Sequence, residues 1–309
     1  MKKFYSNGKL LLTAEYFVLD GAKALAVPTK LGQDLIVEPI SEKKIIWASF
    51  SESGECWFEA VFELPKLRLI SASFESDKDG SNEMIAENLF EILFEAKKLN
   101  PKFLTTENGF MVKTNLTFPK NWGLGTSSTL INNIANWATI NPFILLQRTF
   151  GGSGYDIACA QNNNPIYFKN NKGSLIVDKA DFNPNFKDQL FFVYLNKKQN
   201  SREGIKRFQN LKGKLTSEIQ QISELTDAFV SCNNLTDFEK IMVTHEQLVS
   251  KSMQLKPVQE LLFNDYFGQT KSLGAWGGDF ILATGSADSP NYFKKKGFET
   301  VIPYEDLIL

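Results

Sequence analysis

Two glycine segments hold the residues of this 309-residue chain best suited to chemistry. The first, Gly123-Leu124-Gly125-Thr126-Ser127-Ser128, runs straight into a stretch with helical spacing of Leu130, Ile131, Ile134, Ala135 and Ala138. A helix N-terminus offers unpaired backbone N–H groups and the positive end of a dipole, so a loop placed there receives anions. The two glycines let the backbone come close to a phosphate. The hydroxyls of Thr126, Ser127 and Ser128 are donors for a phosphate oxygen or ligands for a magnesium ion. The same residues also suit a plain capped helix, and both readings stay open at this point. The second segment, Gly152-Ser153-Gly154-Tyr155-Asp156, places a carboxylate after two glycines and before the apolar run Ile157-Ala158.

Several chemistries are excluded. No GxxxxGK[ST] loop occurs, and the nearest candidate, Gly213-Lys214-Leu215-Thr216, has leucine after the lysine. A dinucleotide fingerprint would need a third glycine after Gly125. His245 is the single histidine, so a two-histidine metal site cannot be built within one chain, and a Ser-His-Asp arrangement would have to use this residue. It lies in KIMVTHEQLVSKSM, which reads as helix, and a structural or solvated role is expected. Cys56, Cys159 and Cys232 are odd in number and lack a CxxC pair, which argues against a disulfide framework or a cysteine zinc site. A net charge of −1 steers the protein neither to nucleic acid nor to an acidic membrane, so an anionic ligand must be held by local groups. The start of the chain lacks a signal-peptide core, and no apolar run approaches the roughly 18 to 20 residues of a membrane span. The expectation is an unprocessed cytoplasmic protein with no nucleic-acid or membrane partner.

The elements that must position these residues read as a mixed α+β chain. KLLLTAEYFVL, ALAVPTKL, QDLIVEPI, KIIWASF and CWFEAVFEL are short apolar or alternating runs expected as strands. Ile85, Leu89, Ile92, Leu93 and Ala96 predict a helix over 82–99, with Ser81 able to cap it. GFMVKTNLTF returns to strand, and the two glycine loops follow, each leading into a helix. IYFKN, SLIVDKA and FFVYLN read as strands, and residues from about Arg202 to Phe267 as mostly helical. GDFILATG, NYFKKKG and ETVIPY then read as strand, helix and strand. Strand, helices, strand, helix and strand match a split β-α-β pattern closed by an added strand. With 43% hydrophobic residues the chain can bury two cores, and the polar DKADFNPNFKDQ segment marks a boundary near residue 185.

Four segments carry a resemblance. Ser6–Val27 resembles the N-terminal motif of GHMP kinases, PGKxxLxGEHxVxxG. Pro119–Ser128 resembles their phosphate-binding PxxxGLGSS motif, and Leu273–Ala283 resembles their C-terminal GAGGGG motif. Gly152–Ala158 resembles the GSGxDxA segment of the mevalonate and phosphomevalonate kinase branch. The resemblance implies a two-lobed α+β fold, with a ribosomal-protein-like N-terminal lobe over 1–185 and a ferredoxin-like C-terminal lobe over 186–309. It implies ATP and Mg2+ as cofactors and a small-molecule acceptor, mevalonate or phosphomevalonate first.

By the same resemblance Asp156 is the general base and Lys9 the fixed ammonium that lowers the acceptor's pKa and offsets transferring charge. Residues 123–128 hold the nucleotide phosphates, and Ser127 matches the magnesium-binding serine. Gly152, Ser153, Gly154 and Tyr155, with Gly274, Gly277 and Gly278, would lie along the acceptor. Glu15 matches the motif's glutamate and would either orient substrate or pair with a lysine. Without the resemblance, Asp156 is a favourable charge at a helix start, Lys9 a snorkelling edge lysine and the third glycine segment a tight turn. Ser201 and Arg202 would open a helix or meet an anionic group.

The chain departs from the pattern at Asn7, Ala14, Thr126, Trp276 and Asp279. It also has no Asp or Glu between Thr126 and Tyr155, where mevalonate kinases carry a magnesium-binding glutamate. Two further readings therefore stand beside the kinase. One is diphosphomevalonate decarboxylation, and the other a catalytically silent sensor of nucleotide or metabolite.

Overall fold

A computed structural model describes residues 1–74, 82–105, 108–171, 173–198, 201–211 and 215–309, with the side chains of 82, 83 and 201–203 outside the description. The expected cap Ser81 and the pair Gly213-Lys214 lie outside the described residues. The chain gathers into two compact units that interleave in sequence. One holds Met1–Gly8, Leu31–Lys120 and Gly125–Gln161; the other holds Lys9–Lys30, Asn121–Leu124 and Asn162–Leu309.

The opening strands are β1 (Lys2–Leu11), β2 (Ala24–Ile40), β3 (Lys44–Phe50), β4 (Cys56–Glu63) and β5 (Arg68–Phe74). They are followed by α1 (Asn82–Leu99), β6 (Gly109–Leu116), α2 (Thr126–Ala138), α3 (Pro142–Arg148) and α4 (Tyr155–Gln161). In the first unit the strand order is β5-β4-β3-β6-β2, antiparallel except for the parallel pair of β3 and β6. Alternate residues Ile45 and Trp47, and Phe58, Ala60 and Phe62, point to one side, as the two-residue period of a strand requires. Against them pack Ala86, Leu89, Ile92, Leu93 and Ala96 of α1, with Ile131, Ile134 and Ala135 of α2. This apolar layer holds the starts of α2 and α4 in place.

Two expectations from the sequence are corrected in this region. ALAVPTKL and QDLIVEPI form one continuous strand, β2, rather than two. Gly32 sits inside it because β1 comes so close that a Cβ there would lie 2.3 Å from the Ser6 carbonyl oxygen. KLLLTAEYFVL is not a single strand: β1 ends at Leu11, and the chain turns through positive φ at Ala14 (66°) and Tyr16 (62°) into a 3-10 turn over Phe17–Asp20. Neither residue type favours that backbone region, so no local signal announced the turn. The strand β5 was not foreseen either. Its residues are almost all exposed, so it lacks the alternation by which strands are read.

In the second unit, β7 (Ile166–Asn171) and β8 (Ser174–Lys179) form a hairpin, and β7 pairs with Ala24–Ala26 of β2. Then come β9 (Leu190–Tyr194), α5 (Ser201–Gln209), α6 (Thr216–Ser231), α7 (Leu235–Met253) and α8 (Val258–Leu262). The chain closes with β10 (Thr270–Ser272), β11 (Phe280–Thr284), α9 (Ser289–Lys295), β12 (Val301–Pro303) and α10 (Tyr304–Leu307). The sheet order β10-β11-β9-β12, all antiparallel, with helices between β9 and β10 and between β11 and β12, is the ferredoxin-like arrangement. Every residue of β9 and β11 is buried. Among the described residues no helix is long and apolar enough to cross a membrane.

Candidate active site

The first glycine turn is built in the second unit as far as Leu124. Trp122 packs edge-on against Phe280 of β11 at 5.3 Å between ring centroids, and the Tyr194 hydroxyl donates to the Asn121 carbonyl at 3.2 Å. Leu124 is fully buried. These contacts fix the entry to the turn, leaving Gly123 at φ 69°. Lys9 is docked on this turn: the Leu124 carbonyl accepts from Lys9 N at 3.0 Å, and Lys9 Nζ donates to the Gly123 carbonyl at 2.9 Å. The lysine side chain is half-buried, so its stem is fixed while the ammonium stays at the turn. Asp279 lies on the same residue. A Cβ built on Gly123 would meet the Asp279 carboxylate carbon at 2.5 Å.

Glu15 has a different setting. It is fully buried, and one carboxylate oxygen accepts from Lys271 Nζ in a short ion pair. Ala14 N–H donates to His245 Nε2 at 3.0 Å, so that nitrogen presents its lone pair and the imidazole is neutral. Burial first, and then the Lys271 charge, hold the His245 pKa well below its ordinary value. Burial raises Glu15 despite the attraction of Lys271. Next to His245, Glu246 accepts from Ser272 N at 3.1 Å and Ser272 Oγ at 3.3 Å, and burial pushes its carboxyl up to about 8. Of the two roles open for Glu15, the structure displays the lysine pairing. His245 is a buried structural residue rather than a solvated one.

Beside this cluster the Tyr16 hydroxyl accepts from Trp276 N at 3.0 Å, which ties the N-terminal motif to the third glycine segment. Gly274 and Gly277 adopt positive φ of 62° and 97°, and Gly278 is buried behind them.

In the first unit, Gly125 precedes α2 at φ 98°. Ser128 is buried and donates to the Gly125 carbonyl at 2.8 Å, so its hydroxyl proton is used within the helix start. Thr129 does the same work deeper, bonding Gln33 Oε1 at 2.7 Å. Thr126 is half-buried and Ser127 exposed, and neither hydroxyl has a hydrogen-bond partner among the described residues. The second glycine loop lies in the same unit, at the start of α4. Gly152 and Gly154 take φ of 106° and 93°, and Gln147 Nε2 donates to the Gly152 carbonyl at 2.9 Å. Ser153 is buried, whereas Tyr155 and Asp156 are half-exposed in the first turn of α4. Asp156 Oδ1 accepts from Ile157 N at 3.1 Å. A bond from Gln161 Nε2 to Asn132 Oδ1 at 2.9 Å fastens α4 to α2.

Within the second unit the structure thus brings Lys9, Gly123 and Leu124 together, and separately ties Glu15 into a buried cluster. Within the first it brings Gly125–Ser128 and Gly152–Asp156 onto adjacent helices. Sequence reasoning did not find Lys271 as the partner of Glu15, because 256 residues separate them. It noted Asp279 only as an interruption of a glycine run. Ser201 opens α5, and its side chain and that of Arg202 are outside the description.

No family model and no curated protein sequence matches the chain. Solved structures do. A mevalonate kinase shares 16% identity with a TM-score of 0.70, over 97% of both chains. The Streptococcus pneumoniae phosphomevalonate kinase in complex with phosphomevalonate and AMPPNP shares 15% with a TM-score of 0.64, over 96% of each chain. The Lactococcus lactis galactokinase complexed with galactose shares 15% with a TM-score of 0.63, over 96% of this chain and 88% of that one. The α+β fold of this chain is therefore the GHMP kinase fold, present over nearly its whole length.

Proposed function

We propose that this protein is an ATP-dependent kinase of a small acid, transferring the γ-phosphoryl group to a hydroxyl or phosphate oxygen, with mevalonate or phosphomevalonate as the first choice of acceptor. The observation that carries the reading is Lys9, whose ammonium is held at 2.9 Å on the carbonyl of Gly123 in the glycine turn. A fixed cation at a phosphate-type loop is what a transferring phosphoryl group needs. Asp156 supplies the second part. As the acceptor oxygen attacks the γ-phosphorus, its proton passes to the Asp156 carboxylate, and the bond from phosphorus to the bridging oxygen breaks to leave ADP. Gly152, Ser153, Gly154 and Tyr155, with the third glycine segment, would border the acceptor.

Magnesium fits the residues present. Ser127 offers an exposed hydroxyl oxygen with no hydrogen bond among the described residues, a ligand type that this ion accepts. Bound beside the nucleotide, the ion would neutralise polyphosphate charge. Among the described residues no group of three or more His, Cys, Asp or Glu side chains is placed to hold a metal, so nucleotide oxygens and waters would complete the shell. Cys56, Cys159 and Cys232 form no disulfide among the described residues, which suits a reducing compartment such as the cytoplasm.

The test is ADP release with MgATP against mevalonate, phosphomevalonate, diphosphomevalonate and several sugars, with Asp156→Asn as control. Turnover on one acceptor that is lost in the variant supports the reading and names the substrate. Carbon dioxide release would turn it to decarboxylation. Nucleotide binding with no ADP formation across the panel would turn it to a sensor.

A further inference from the structure

We propose that Asn132 and Gln161 are positioning residues that fix α4, and with it Asp156, in register with α2. The inference rests on the kinase reading, in which Asp156 is the base, and it concerns two residues that this reading leaves without a task. Helix α2 carries the adjacent pair Asn132-Asn133 between Ile131 and Ile134, and both asparagines are buried as fully as those isoleucines. Asparagine suits a helix interior less well than leucine, and an amide loses its water on burial, so local stability accounts for neither residue. What the pair gains is a chain of hydrogen bonds within the first unit. Thr129 Oγ1 donates to Gln33 Oε1 at 2.7 Å and lies 3.0 Å from the Gly125 carbonyl oxygen. The Gln33 carbonyl accepts from Asn133 Nδ2 at 3.0 Å, and Asn133 Oδ1 accepts from Ser6 Oγ at 2.7 Å. Ser6 Oγ accepts in turn from Asn132 Nδ2 at 2.8 Å, and Asn132 Oδ1 accepts from Gln161 Nε2 at 2.9 Å.

The chain runs from the glycine turn at the start of α2, through β2 and β1, to the last residue of α4, whose first turn bears Asp156. Apolar packing between the two helices does a different job. Ile157 shares a core with Ile131 and Ile134, and Ala158, Cys159 and Ala160 are buried as well. Such contact is non-directional, and three of these four side chains are small, so it sets how closely α4 approaches α2 but leaves sliding along it inexpensive. A hydrogen bond is directional, and the bond from Gln161 to Asn132 selects one register. Register matters at a base, because a misplacement of about 1 Å can cost about 10²-fold in rate.

The measurement is kcat and KM of the full-length protein with MgATP and mevalonate or phosphomevalonate, with the MgADP dissociation constant, for wild type, Gln161→Ala, Gln161→Lys and Asn132→Leu. Gln161→Ala is made again in the Asp156→Asn chain. Gln161 is exposed, so its variants should fold, and thermal unfolding midpoints check this. Gln161→Ala and Asn132→Leu are expected to lower kcat about tenfold while KM and the MgADP constant stay within about twofold. Gln161→Lys keeps a donor of similar reach and should return kcat to within about threefold of wild type. In the Asp156→Asn chain, Gln161→Ala should cost less than about twofold, because a residue that acts through Asp156 then has no base to position. An unchanged kcat in Gln161→Ala, or a loss equally large in both backgrounds, would overturn the proposal while leaving the kinase reading intact. Absence of turnover by wild type on every acceptor of the panel above would overturn both.

Discussion

Glu15 and Asp156 are both acids within glycine-bearing motifs, yet their surroundings differ. Glu15 has no solvent exposure, and its charge is met by Lys271, which is itself fully buried. Asp156 is half-exposed at the first turn of α4, between a glycine loop and solvent, with a backbone N–H holding one oxygen. A buried ion pair is costly to break because either partner left alone is a desolvated charge. The first is part of the scaffold and the second is the residue proposed above as the base, although the sequence gives both the same residue class.

The comparison can be broken in order of effect. Lys271→Met should remove about 3–5 kcal/mol of stability by leaving Glu15 buried without its cation. Denaturant unfolding measures this, and adding Glu15→Gln should recover part of the loss. A loss below about 1 kcal/mol would mean that the pair is not a scaffold element. Asp156→Asn should lower turnover by at least about 10²-fold while shifting the unfolding free energy by less than about 1 kcal/mol. Unchanged turnover would take Asp156 out of the mechanism.

Glu246 tests the buried cluster through pH. Its folded pKa of about 8 lies above the ordinary 4.5, so the folded state holds a proton that the unfolded state releases. Its contribution is then fully present below the ordinary carboxyl pKa and is lost as pH rises through about 8. Wild-type stability should fall by about 1 kcal/mol per pH unit within that window, and Glu246→Gln should flatten the slope. His245 acts with opposite sign: its folded pKa is depressed, so stability falls as pH drops below its ordinary value. A profile identical in wild type and Glu246→Gln would show that Glu246 is not the source of the alkaline slope.

The smallest effect is expected at Gly123. Gly123→Ala places a side chain at φ 69° and against the Asp279 carboxylate, with a cost of about 1–2 kcal/mol. It should weaken nucleotide binding about tenfold, and Asp279→Gly in the same chain should recover part of it by removing the contact. No recovery would place the whole cost in the backbone.

Much of the framework was legible. Helix α1 spans the residues that the spacing of Ile85, Leu89, Ile92, Leu93 and Ala96 predicted, because one face meets the sheet and leaves a 3.6-residue imprint. The alternating strands β3, β4 and β6 were readable for the matching reason, a single buried face. Strand β5 was hidden by exposure on both faces, and the positive-φ turn at Ala14 and Tyr16 by residue types that rarely adopt it.

The sequence by itself determined where the backbone can bend toward a ligand. Gly123, Gly125, Gly152 and Gly154 all take positive φ, and glycine identity alone makes that inexpensive. It also determined which hydroxyls and which carboxylate follow those bends along the chain. Only the tertiary structure decided which polar groups are consumed. Ser128 turns inward to Gly125 while Ser127 faces out, Glu15 is closed off by a lysine 256 residues away, and Asp279 is set upon Gly123. The reason is physical: local propensity follows from neighbours along the chain, whereas burial and charge pairing depend on which distant segments the packed core brings into contact.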